Sequence, residues 1–335
     1  MNITIIGGGS WGCALANLLV DNSNKALIYD NDQKAVDEIN NFHTNKSKLG
    51  DVVFNKEVIA TTSLETAISF SDMLVLAVPT SVTRIVLNNM KKFIRNKKLF
   101  VNVAKGLELD TNKRVSEIVR DEIPEKVIEG FVSLTGPSHA EEVVVRKLTS
   151  IVAASEDILH AKKVQEIFSN SEYFRVYTSS DLIGAELGGS LKNIYAIASG
   201  MLDGLGYGIN AKSALITRGL IEMKRITALL GGLEETLNGL VGVGDLIVTC
   251  MSKLSRNYSA GLMIGEGDDL KTSLSKMTMV VEGVKTCKTA YHLAKKLGVD
   301  TPIIDAVYDV LFNEIEPNIV IKKLMSRELK HESDG

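Results

Sequence analysis

The chain is poor in the residues that staple, stiffen or anchor a protein. It has three cysteines in 335 residues, Cys13, Cys250 and Cys287. Odd in number and far apart, they form neither a disulfide framework nor a zinc-ligand spacing. His43, His139, His160, His292 and His331 are equally dispersed, so no metal site is expected. No apolar run approaches the ~20 residues that span a bilayer, which excludes an integral membrane protein. The opening Met1-Asn2-Ile3-Thr4-Ile5-Ile6 has no basic segment ahead of a long apolar one, so no secretory signal is expected. Charge of one sign is lacking too. With 38 Lys+Arg against 41 Asp+Glu, the net charge of −3 carries no footprint of a general nucleic-acid binder. A reduced, cytoplasmic, compact protein remains. Prolines number only 5 while glycines number 27, a balance that points to close backbone approach more than to loop-rich disorder.

What is present is ordinary globular composition, 45% hydrophobic and 24% charged, in a length suited to two domains. Residues 2–6, 26–29, 73–78, 99–103, 131–134 and 150–154 are short runs rich in Val, Ile, Phe or Leu. Segments with apolar residues at three- and four-residue spacing, such as 14–20 and 82–94, lie between most of them. This alternation predicts an α/β fold, a doubly wound, mainly parallel sheet covered on both faces. From about Asp181 helical periodicities follow one another through 187–201, 213–230, 282–297 and 303–312. They predict an all-helical C-terminal domain, with residues 1–187 forming the first domain and 188–335 the second. Residues 181–201 also read as one long helix crossing that boundary, and 331–335 as a polar tail.

Gly7-Gly8-Gly9-Ser10-Trp11-Gly12 fits G-x-G-x-x-G between the first strand and a helix. Gly7, Gly9 and Gly12 there permit a tight turn, close approach of a pyrophosphate and tight helix–strand packing, with the helix N-terminus facing the anion. Asp30 follows Gly12 by 18 residues, near the ~20 expected for a carboxylate on the adenine ribose. A carboxylate bonds a 2′-hydroxyl and repels a 2′-phosphate, so NAD(H) is favoured and NADP(H) remains open. An ordinary solvated acid before a helix is the alternative for Asp30.

Around Lys192, residues Leu187, Leu191, Ile194, Ala198 and Met201 share one helical stripe. Ala185, Gly188, Gly189, Ala196 and Ser199 lie on the other side, with Lys192 among them. Such a lysine is either desolvated, its pKa lowered towards the range useful for proton transfer, or it snorkels to solvent at a domain edge. Lys105 follows the 99–103 strand, where open α/β sheets bind ligands, and Gly136-Pro137-Ser138-His139-Ala140 follows another. Asp245, flanked by glycine and apolar residues, needs a specific partner if buried. Ser255-Arg256-Asn257 suits a phosphate or carboxylate, or is simply an exposed polar turn.

Together these segments resemble the bacterial-type NAD(P)-dependent glycerol-3-phosphate dehydrogenases. The resemblance covers nearly the whole chain and extends through Glu186-Leu187-Gly188-Gly189-Ser190-Leu191-Lys192-Asn193, Gly244-Asp245-Leu246-Ile247-Val248-Thr249-Cys250 and Val280-Val281-Glu282-Gly283. It implies reversible reduction of dihydroxyacetone phosphate to sn-glycerol 3-phosphate, feeding phospholipid synthesis, in a cytoplasmic homodimer. Lys192 matches the acid/base lysine, Lys105 a residue holding and polarising substrate near the cofactor, and Asp245 the acid orienting Lys192 and binding a substrate hydroxyl. Gly136, Ser138, Asn193, Ser255, Arg256 and Asn257 match substrate contacts. Ser10, Trp11, Ala140, Val280 and Glu282, with Arg256, match cofactor contacts. Three features depart from the family pattern. Asp30 stands where many relatives carry His or Arg, His139 replaces a usual Phe, and segment 45–51 lacks an aromatic-Leu-Pro sequence. A related dehydrogenase for another small hydroxy or sugar acid, and a non-catalytic NADH-sensing module, are the competing readings. Retention of both Lys105 and Lys192 speaks against a sensor, which needs no proton donor.

Overall fold

The computed structural model describes residues 1–277 and 279–332. It forms two compact units, Met1–Ala104 with Lys113–Leu182, and Lys105–Asn112 with Ile183–Gly335.

The first unit is built on an eight-stranded sheet. Its strands are β1 (Asn2–Ile6), β2 (Lys25–Tyr29), β3 (Ile59–Thr61), β4 (Met73–Leu76), β5 (Lys98–Asn102), β6 (Ile128–Thr135), β7 (Thr149–Ala154) and β8 (Phe174–Ser179). The order is β3-β2-β1-β4-β5-β6-β7-β8, and only β6 and β7 pair antiparallel. The continuous apolar runs follow from burial on both faces. In β4, Met73 and Val75 pack with Ile3, Ile5, Leu15 and Leu18 on one side. Leu74 and Leu76 pack with Ile6, Leu87 and Phe100 on the other. The chain leaves β1 towards β2 and β3, then returns to β4 on the opposite side of β1. That reversal is a topological switch point, where open α/β sheets bind ligands beyond the strand ends.

The short-run pattern anticipates six of these strands to within a few residues and misses β3 and β8. β3 has only three residues. β8 is an edge strand whose Phe174 and Val176 are buried while Arg175 and Tyr177 are exposed, so it alternates where the inner strands do not.

The second unit has no strand among its described residues. With α1 assigned to Ser10–Asp21 in the first unit, the helices that matter here are α2 (Leu182–Gly204), α3 (Ile209–Leu229), α4 (Asp245–Met251), α5 (Arg256–Gly265), α6 (Glu282–Leu297) and α7 (Pro302–Phe312). Helix α2 is the single long helix anticipated over 181–201, and residue 187 lies inside it. It is buried almost all round, with Leu187, Leu191, Ile194, Tyr195 and Ile197 fully covered. Helix α6 has the predicted bounds because Gly298 takes a left-handed C-cap, φ +69°, just after Lys295 and Lys296 in the last turn. Of the polar tail, residues 333–335 lie outside the described residues. Among the described residues, no helix is long and apolar enough to cross a membrane.

Candidate active site

In the first unit the glycine turn joins β1 to α1 at the switch point. Gly7 has φ +118°, and a Cβ there would lie 2.8 Å from the Ala77 carbonyl oxygen. A Cβ on Gly12 would sit 2.0 Å from the Gly7 carbonyl oxygen, so helix and strand touch through bare backbone. At Gly9 a Cβ would meet nothing within 4 Å. The loop therefore faces open space at the N-terminus of a 12-residue helix that has no side-chain cap, an arrangement fitted to an anion. Asp30 follows β2 directly and accepts hydrogen bonds from the Gly8 N–H (2.8 Å) and the Asp32 N–H (2.9 Å). A carboxylate offers about four lone-pair sites, so two bonds leave acceptor capacity at the loop edge.

Segment 45–51, which departs from the family pattern, braces this loop. Asn45 Nδ2 donates to the Gly8 carbonyl at 2.9 Å, and Ser10 Oγ donates to the Lys48 carbonyl at 3.0 Å. Sequence reasoning missed Asn45, because nothing local marks an amide that acts 37 residues away. Trp11 Nε1 is buried without a hydrogen-bond partner among the described residues. After β6, Gly136 takes φ +146° and its carbonyl accepts from Ser138 Oγ at 3.0 Å. Ala140 begins the four-residue helix Ala140–Val143 and is buried.

In the second unit two lysines converge on one acid. Lys192, on α2, is 4% exposed and does not snorkel. Its Nζ lies 2.5 Å from Asp245 Oδ1 and 2.6 Å from Thr249 Oγ1. Lys105 Nζ lies 3.0 Å from Asp245 Oδ2, so one fully buried carboxylate bridges both ammonium groups. The Thr249 hydroxyl donates to the Asp245 carbonyl at 2.5 Å, one turn back on α4, which orients its lone pair towards Lys192. Asn193 Nδ2 donates to the Lys105 carbonyl at 3.3 Å. Asp245 begins α4 just after a π-turn at Leu240–Gly244, a local widening that recurs at functional sites. Burial pushes the Lys192 pKa down to about 7, with Lys105 adding to the shift and Asp245 opposing it. Thr249, like Asn45, is a residue that reading from the sequence did not single out. Its i+4 spacing from Asp245 on a helix was the available signal.

Ser255 caps α5, its Oγ accepting from the Tyr258 N–H at 3.2 Å. The next residue, Arg256, is exposed, with Nη1 3.4 Å from the Val280 carbonyl. Asn257 is buried and its Oδ1 accepts from the Gly283 N–H at 2.8 Å, so Asn257 ties α5 to the start of α6 beside Glu282. A Cβ on Gly283 would lie 2.7 Å from both the Asn193 carbonyl oxygen and Asn257 Oδ1. The Lys192–Asn193 turn and the head of α5 thus meet at that glycine.

Comparison with known proteins shows the family of the chain. Residues 2–161 match the family described as NAD-dependent glycerol-3-phosphate dehydrogenase N-terminus, and residues 181–322 its C-terminus. Glycerol-3-phosphate dehydrogenase [NAD(P)+] of Lysinibacillus sphaericus is 47% identical over 332 residues, covering 99% of this chain and 98% of that protein. Its namesake from Bacillus cytotoxicus is 49% identical over 333 residues, covering 99% and 97%. The crystal structure of glycerol-3-phosphate dehydrogenase from Coxiella burnetii superposes with a TM-score of 0.92 at 34% identity, covering 97% of this chain and 99% of that one. The chain belongs to the NAD-dependent glycerol-3-phosphate dehydrogenase family.

Proposed function

We propose that this chain interconverts dihydroxyacetone phosphate and sn-glycerol 3-phosphate. The observation that supports the chemistry most is the buried Lys192, hydrogen-bonded to Asp245 and Thr249 and brought near neutrality. When bound, the reduced nicotinamide supplies the hydride. Lys192 Nζ gives its proton to the substrate carbonyl oxygen during reduction and takes the hydroxyl proton during oxidation. A pKa near the operating pH keeps both forms available. Asp245 holds the two lysines in place and accepts from a substrate hydroxyl, and Lys105 polarises the carbonyl. Ser255, Arg256 and Asn257 at the head of α5 receive the phosphate, with Asn193, Gly136 and Ser138 as further contacts. Arg256 is exposed and carries a planar fork of donors suited to that group.

For the cofactor, Gly7, Gly9, Ser10, Trp11 and Gly12 hold the pyrophosphate side. Lys105, Ala140, Arg256, Val280 and Glu282 make the remaining contacts. Asp30, fixed to the loop through Gly8, favours NAD(H) over NADP(H). The pyrophosphate turn and Asp30 belong to the first unit, and the proton-transfer residues Lys192, Asp245 and Thr249 to the helical one. A cytoplasmic homodimer that supplies glycerol phosphate for phospholipids completes the reading. The test is the loss of NADH absorbance with dihydroxyacetone phosphate, in parallel with Lys192→Ala. The parent should turn over, and the variant should lose about 10²–10⁴-fold in kcat while still binding NADH. No turnover by the parent at millimolar substrate rejects the proposal, and a near-normal kcat in the variant rejects Lys192 as the proton donor.

A further inference from the structure

Helices α2 and α5 pack with their backbones in contact through glycines on both sides. A Cβ on Gly200 would lie 2.0 Å from the Tyr258 carbonyl oxygen, and one on Gly204 2.4 Å from that of Leu262. Reciprocally, a Cβ on Gly261 would lie 2.0 Å from the Ile197 carbonyl oxygen, and one on Gly265 2.4 Å from that of Met201. Both sets of contacts advance by four residues along each helix, so the two helices run parallel. The head of α5, with Arg256 and Asn257, therefore lies towards the Lys192–Asn193 turn of α2.

A contact made of glycines is smooth. It permits close approach but offers few interlocking side chains to resist a small slide or rotation of one helix on the other. A polar cluster at this point supplies the missing constraint. Asp203, in the last turn of α2, accepts from the Tyr258 hydroxyl in the first turn of α5 and from Lys212 Nζ on α3 at 2.7 Å. Lys212 also lies over the Tyr258 ring, 5.4 Å from its centroid. Tyr258 and Lys212 are both buried, and Tyr258 immediately follows Asn257. The Tyr258 hydroxyl is held protonated, its pKa pushed up to about 12 by burial and by the Asp203 carboxylate. It therefore stays a donor to Asp203 through the physiological range.

We infer that Asp203 and Tyr258 are positioning residues for the phosphate end of the substrate. Their bond sets where the first turn of α5 sits on α2, and so where Arg256 and Asn257 stand relative to Lys192. The inference rests on the activity proposed above, so turnover of dihydroxyacetone phosphate by the parent protein is measured first. Failure there removes the activity itself.

With that activity in hand, Tyr258→Phe keeps the ring and deletes only the hydroxyl. The expected result is a rise of about tenfold in KM for dihydroxyacetone phosphate, the cost of a slightly displaced anion site. kcat at saturation should stay within about twofold, as for lost uniform binding. The pH limb of kcat should not move, because the Lys192–Asp245–Thr249 cluster is untouched. Asp203→Asn, which keeps an acceptor for Tyr258 and loses the charge facing Lys212, should raise KM less and guards against a Tyr258→Phe chain that does not fold. A KM unchanged in the folded variants, whatever their melting temperature, overturns the inference. So does a kcat that falls as KM rises while its pH limb shifts, which would mark general loosening of the helical unit.

Discussion

Replacing Asp245 with Asn removes one charge from between two lysines and barely changes shape, so its consequences can be worked from the geometry. Asp245 Oδ1 and Oδ2 stand 2.5 and 3.0 Å from the Lys192 and Lys105 nitrogens. An opposite charge at this range holds a lysine protonated, and its removal lowers the pKa by about one to three units. The amide adds to this, since its NH2 would face an ammonium group with nothing to accept. Lys192, at about 7 in the parent, then titrates well below neutrality. Reduction needs the protonated lysine. Well above both pKa values a shift of about two units makes that form about 100-fold scarcer, so kcat for reduction at about pH 8 falls about 100-fold. Acidification restores part of the loss. The alkaline limb of the kcat profile moves to lower pH, and the acid limb for oxidation moves the same way. The assay is kcat against pH in both directions at saturating substrate and cofactor. A folded Asp245→Asn chain whose kcat drops by one factor at every pH, with both limbs in place, would refute the claim that Asp245 sets the protonation of Lys192.

Two further outcomes follow from the first unit. Gly12→Ala places a Cβ 2.0 Å from the Gly7 carbonyl oxygen, with rigid backbone on both sides. It should cost about 1–3 kcal/mol, seen as a lower denaturant midpoint, and should weaken NADH binding. An unchanged midpoint would show that α1 can lift away from β1 without penalty. Asp30→Ala removes the carboxylate at the loop edge and should raise the NADPH:NADH ratio of kcat/KM by about tenfold or more. A parent protein that already uses NADPH as well as NADH would contradict the argument from Asp30.

How much of this was legible in the chain depends on how far apart the interacting residues lie. The glycine turn could be read because Gly7, Gly9 and Gly12 act within six residues and their need for bare backbone is local. The inner strands could be read because burial on both faces leaves unbroken runs such as Met73-Leu74-Val75-Leu76. The edge strand β8 could not, since its exposed Arg175 and Tyr177 imitate other amphipathic patterns. Lys192 was conspicuous as a lysine among small and apolar residues, which favoured a desolvated lysine while leaving a snorkelling one open.

The sequence by itself determined the layered α/β sheet, the helical second half and the residue types available for proton transfer and anion binding. All of these are encoded in short-range periodicity and backbone freedom. Only the tertiary structure decided which groups share a proton environment. Asp245 is 53 residues from Lys192 and 140 from Lys105, and its two oxygens meet them because α4 packs beside α2 and beside the segment that follows β5. Tertiary packing also decided that Gly200 and Gly204 face Gly261 and Gly265. The glycines excess to turns thus became a helix contact, and Asp203 gained Tyr258 as its partner. A pKa, a hydrogen bond and a helix register are properties of pairs, and these pairs form only when distant segments are brought to within a few ångströms.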